Sequence, residues 1–74
     1  MAEQNAERRR DAERTREAIL IAAEDHFARR GFEGTSLQQI AEAAGVARST
    51  PAYFFGSKDA LYDAVLARAV ARGP

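Results

Sequence analysis

Residues 38–58, QQIAEAAGVARSTPAYFFGSK, decide how the chain folds. Ahead of the glycine, Leu37, Ile40, Ala41 and Ala44 recur at i, i+3, i+4 and i+7, the spacing of one helical face. The small residues on that face let a second helix cross closely. Gly45 stands where the chain must leave the helix at positive φ, a conformation open to glycine without steric cost. Val46 then turns inward, and a new helical segment is expected over Ala47 to Phe55, with the reading helix proper at about Arg48 to Phe54. Two short helices around a tight glycine turn make a helix-turn-helix, whose second helix fits the DNA major groove.

The flanking stretches are expected to prop that pair. Thr15 offers an N-cap for a helix running to about Arg30, with Ile19, Ala23 and Phe27 as its buried stripe and Leu20 and Ala22 beside them. Gly31 ends it, and Phe32 packs back on the last turn. Ser36-Leu37-Gln38-Gln39 has the form of a capping box for the next helix. Ser57 caps a fourth, whose apolar residues Leu61, Val65 and Ala69 repeat at helical spacing. The expected fold is all-α, a three-helix bundle with a helix-turn-helix plus the start of a fourth helix, homeodomain-like. Its parts are a flexible or helical arm over 1–14, the DNA-binding unit over 15–56, and a linker helix over 57–74.

Composition narrows the function. The 74 residues suffice for one small domain. With no cysteine there is neither a disulfide framework nor a thiolate metal site, which fits a reducing cytoplasm. No apolar run approaches the roughly 20 residues of a membrane span, so no membrane partner is expected. His26 is the single histidine and lacks a second ligand, so it reads as a surface or half-buried helix residue. Without a carboxylate pair at acid/base spacing or a glycine-rich phosphate loop, neither an enzyme nor a cofactor is expected. Eleven basic and eleven acidic residues cancel, so any DNA binding must come from local placement of charge.

Several residues can do that. Arg48, Ser49 and Thr50 are polar with nothing to bury, and an arginine can bond guanine O6 and N7 as a pair. Pro51 restricts how far the helix can extend ahead of it, to Arg48 or Ser49 at the earliest. Of the three aromatics that follow, Phe55 is expected in the core and Tyr53 at a phosphate, with Phe54 open to either. Thr35 and Ser36 precede a helix N-terminus where a phosphate would sit, although capping alone also accounts for both hydroxyls. Lys58 at a helix start is unfavourable to the dipole, and an adjacent phosphate would explain it. Arg8-Arg9-Arg10 reads either as a phosphate or minor-groove contact or as a plain solvated face among acids.

With these residues in view, the chain resembles the N-terminal DNA-binding domain of TetR-family bacterial transcriptional repressors from about Thr15 to Leu66. The resemblance rests on Thr15-Arg16-Glu17, Ile19-Leu20, Ala22-Ala23, Phe27-Ala28, Gly31-Phe32, Gly34-Thr35-Ser36, Ile40-Ala41, Ala44-Gly45-Val46, Tyr53, Phe55, Lys58 and Leu61 at constant spacing. It implies phosphate contacts from Thr35, Tyr53 and Lys58. It also implies base-edge contacts from Arg48, Ser49 and Thr50, with Gln38 as a weaker candidate. Members often carry an aliphatic residue and then a tyrosine where this chain has Pro51 and Ala52, so one frequent DNA contact is missing.

The implied partner is double-stranded DNA with a palindromic operator. A further domain, beyond these 74 residues, would dimerise the protein and bind a small-molecule effector. The alternative is a helical module that pairs with a partner regulator through an exposed Leu61/Val65 stripe.

Overall fold

Alternation of apolar stripes with glycine and serine punctuation yields four helices in the computed structural model, which describes residues 2–73. They are α1 (Ala2–Arg30), α2 (Leu37–Ala44), α3 (Thr50–Phe55) and α4 (Lys58–Arg72). At about 1.5 Å per residue, the 29 residues of α1 span the whole 43 Å long axis of the molecule. The core lies where the C-terminal half of α1 meets the other three helices. Ile19, Ile40 and Leu61 are fully buried, one each from α1, α2 and α4, with Leu20, Ala22, Ala23, Phe27, Ala41 and Val65 around them. Burying a side chain of that size contributes about 1.5–3 kcal/mol. An aromatic triad of Phe27, Phe32 and Tyr62 closes one end, with centroids 5.0–6.0 Å apart and Tyr62 edge-on to both rings.

Local chemistry sets the helix ends as the sequence implies. Ser36 Oγ accepts from the Gln39 N–H at 3.1 Å while Gln39 Oε1 accepts from the Ser36 N–H at 3.0 Å, a complete capping box. Gly45 has φ 73°, and its N–H donates to Glu42 O as that of Val46 donates to Ala41 O. The pair of bonds is a Schellman closure, and it turns Val46 onto the core. Gly34 is required for a different reason: a Cβ there would collide with the backbone carbonyl of Arg30.

Three expectations change. Thr15 does not start a helix; it lies mid-way along an uninterrupted α1, and its hydroxyl donates to Asp11 O at 2.9 Å. The residues before it are strong helix formers, so no break marks the boundary between 14 and 15. The third helix begins at Thr50, two residues later than Arg48. Pro51 then falls in its first turn, where the missing N–H costs nothing. Finally, Leu61 and Val65 are buried against the core and present no exposed stripe, which removes the basis for the partner-recruiting reading of α4. Ion pairs tie α4 to α1 beside them: Arg68 pairs with Glu17, and one Arg72 nitrogen meets both Glu24 oxygens at 2.6–2.7 Å. No helix among the described residues is long and apolar enough to cross a membrane.

Candidate nucleic-acid interface

On α3 the inward and outward residues separate by side. Pro51 is buried and Phe54 and Phe55 pack against the core, while Ala52 and Tyr53 face solvent. Tyr53 is 83% exposed, the largest such value among the large hydrophobic side chains of the described residues, and its ring stands edge-on to Phe54 at 5.2 Å. Its hydroxyl therefore rides outward on a ring held from below. The turn that enters α3 is set by Thr50 N–H to Ala47 O (2.9 Å) and Tyr53 N–H to Ser49 O (3.0 Å). These bonds leave the Arg48 and Ser49 side chains exposed, with Thr50 half-buried behind them.

Ser49 occupies the N-cap position of α3 yet makes no side-chain cap bond. Its backbone is helical (φ −83°, ψ −10°), whereas Ser36 and Ser57 are extended and cap their own helices. A hydroxyl reaches the N2 or N3 amide from an extended N-cap backbone, which Ser49 lacks. Its donor and acceptor thus remain open to an outside group. Arg48, Ser49 and Tyr53 form one exposed arc, and Gln38 on α2 is exposed as well.

The second cluster, where α2 and α4 begin, is built differently. Thr35 is only 2% exposed, and its single hydroxyl proton is donated to Gly31 O (2.9 Å), with His26 O as a longer second acceptor (3.2 Å). That side chain clamps the α1–α2 turn to the end of α1 and is not presented to a phosphate, contrary to the expectation from the sequence. Lys58 Nζ donates to Phe32 O (2.8 Å) and Thr35 O (3.1 Å) and sits 4.0 Å above the Phe32 ring. These carbonyls account for its place at the start of α4. An ammonium has three donors, so one remains. Ser36 is exposed but engaged in its capping box. The capping box satisfies the Gln39 amide, which leaves the Leu37 and Gln38 N–H groups, at the first two positions of α2, without intrahelical partners.

Sequence reasoning missed Lys58 and Thr35 as internal fasteners, and it missed Arg16, whose guanidinium stands 4.9 Å from the Phe55 ring centroid. Lys58 meets carbonyls 23 and 26 residues back, so no local pattern announces it. For Thr35, the nearby Gly31 and Gly34 were the available sign of a turn tight enough to swallow a side chain.

A short helix with an outward polar arc, seated through a glycine turn on a second helix and braced by two more, defines the helix-turn-helix class. The chain belongs to the family described as bacterial regulatory proteins, tetR family, whose sequence model matches residues 19–65. It is 57% identical over 51 residues to the HTH-type transcriptional regulator RutR of Escherichia coli K12, covering 69% of this chain and 24% of that protein. The HTH-type transcriptional repressor BepR of Brucella suis biovar 1 is 41% identical over 59 residues, covering 80% of this chain and 28% of its own length. Among solved structures, HlyIIR, a hemolysin II transcriptional regulator, superposes with a TM-score of 0.70 at 46% identity, over 73% of this chain and 30% of that one. The chain thus spans about a quarter of the length of the curated relatives it matches.

Proposed function

We propose that this chain is the DNA-reading part of a bacterial transcriptional regulator and binds double-stranded DNA sequence-specifically. The observation that carries the proposal is the outward arc of Arg48, Ser49 and Tyr53, with a serine at the helix start whose hydroxyl caps nothing. Arg48 and Ser49 meet base edges, joined by Thr50 from behind and Gln38 from α2. Tyr53, the Leu37 and Gln38 amides and the Ser36 hydroxyl meet phosphates. The third Lys58 proton reaches the same phosphate as the α2 amides. Thr35 holds α2 in register for them.

As in its relatives, the reader acts within a longer protein. Such a protein would pair as a homodimer on a palindromic operator, respond to a small molecule through its other domain, and work in the bacterial cytoplasm at the nucleoid. With about three or four phosphate contacts per copy, log K falls with log salt at a slope of roughly −3. The decisive experiment is a selection of random duplexes against the chain at low and moderate salt. Recovery of a recurring half-site supports the proposal, and a salt-independent interaction with no sequence preference refutes it.

A further inference from the structure

The outward arc of α3 has one apolar member. Ser49, Ala52 and Tyr53 fall at i, i+3 and i+4, on one face of the helix, and all three are exposed, as is Arg48 just before them. Arg48, Ser49 and Tyr53 each carry a polar group that can meet one on a partner. Ala52, one turn beyond Arg48 and Ser49, presents a bare methyl.

That methyl is held from behind. Pro51 beside it is fully buried. The Tyr53 N–H donates to Ser49 O at 3.0 Å, and the Gly56 N–H donates to Ala52 O at 2.7 Å. Alanine has no side-chain rotamer freedom to lose, so the methyl keeps one place relative to the backbone and meets a partner without an ordering cost.

The major groove offers such a group few places to go. Guanine shows two acceptors there, cytosine an amino donor, and adenine one of each. A methyl pressed on any of these displaces water and returns no hydrogen bond, which is unfavourable. Thymine alone adds an apolar feature, its C5 methyl. One helical turn rises about 5.4 Å, less than two base steps of about 3.4 Å. The base pair that meets Ala52 therefore lies within about two steps of the one that meets Arg48.

We propose that Ala52 is a specificity-determining residue whose methyl packs on the C5 methyl of a thymine within about two base pairs of the base read by Arg48. The half-site then favours thymine at that step and disfavours cytosine. The inference rests on the DNA-reading proposal above, which brings α3 to the groove, and it adds the identity of one base.

The test removes the methyl from the DNA and from the protein separately. Each thymine of the selected half-site is replaced in turn by uracil, which lacks only the C5 methyl and pairs as before. Binding is followed by fluorescence anisotropy, and each protein is compared with itself on the two duplexes, so a general loss of affinity or stability cancels. At one thymine the unaltered chain is expected to bind the uracil duplex about fourfold more weakly, the contribution of one buried methyl-sized group. In Ala52→Gly that ratio is expected to fall to about one. Ala52→Gln, whose side chain favours helix, is expected to do the same if glycine loosens α3, and circular dichroism verifies both folds. A half-site in which no thymine responds to uracil, or a ratio that stays near fourfold in the folded variants, would overturn the proposal while the unaltered chain still selects its site. If the unaltered chain selects no sequence at all, the DNA-reading proposal fails and this one with it.

Discussion

The starts of α2 and α3 lie on adjoining helices of one motif, yet they use the same kinds of side chain in opposite ways. At α2, Ser36 and Gln39 close a reciprocal box, buried Thr35 clamps the turn behind it, and Lys58 reaches across from α4 to hold two carbonyls of that turn. At α3, Arg48 and Ser49 are exposed and Ser49 caps nothing. The α2 terminus ties most of its side-chain polar groups into its own stability and has only backbone amides and leftover donors to offer, whereas the α3 terminus keeps its side chains open to something outside. A hydroxyl before a helix therefore carries no function in itself; what matters is whether the fold has already given it a partner.

The largest test of that contrast is Arg48→Ala. It should remove about 1–3 kcal/mol of discrimination between the preferred base and its competitors, measured by competition binding, and leave the melting temperature unchanged. A fall in stability instead would put Arg48 among the fasteners. Thr35→Val should do the reverse. Losing the hydroxyl leaves Gly31 O without its Thr35 donor and costs about 1–2 kcal/mol in denaturant unfolding, with no change in the salt slope of DNA binding.

The serines sharpen the comparison further. Ser36→Ala should destabilise by about 1 kcal/mol through loss of its cap. Ser49→Ala should stay within about 0.5 kcal/mol of the parent in stability but weaken binding to the selected duplex. Equal stability losses would erase the distinction between the two termini.

The smallest effect concerns the brace behind both. The hydrogen bond from Arg72 holds the Glu24 carboxyl below the ordinary carboxylate range. A depressed folded pKa stabilises above the unfolded value and loses that contribution as pH falls through the folded one. The chain should therefore lose stability slightly on acidification below about pH 4.5, and Glu24→Gln should flatten that part of a melting-temperature profile. The pair is solvent-exposed, so salt should shrink the effect.

Much of this was legible before any coordinates. Periodicity placed Ile19, Ala23, Phe27 and Ile40 in the core, and both the Gly45 turn and the Ser36 capping box appear where their residues sit in sequence. The errors were also local in origin. A threonine before an apolar run commonly caps a helix, but the polar stretch ahead of Thr15 continues α1 through it. Pro51 is at home only in a first turn, so α3 starts at Thr50 and Arg48 lies in the turn before it rather than inside the helix.

The sequence by itself determined the helices, their caps and the glycine turn, since each depends on neighbours three or four residues away and on backbone conformations that particular side chains permit. Only the tertiary structure decided which polar groups stay free. Lys58 reads from its neighbours alone as a free cation, whereas the packing of α4 against the α1–α2 turn brings Phe32 O and Thr35 O to two of its three ammonium donors. A donor is available only if no distant element arrives to take it, and that arrival is settled by packing.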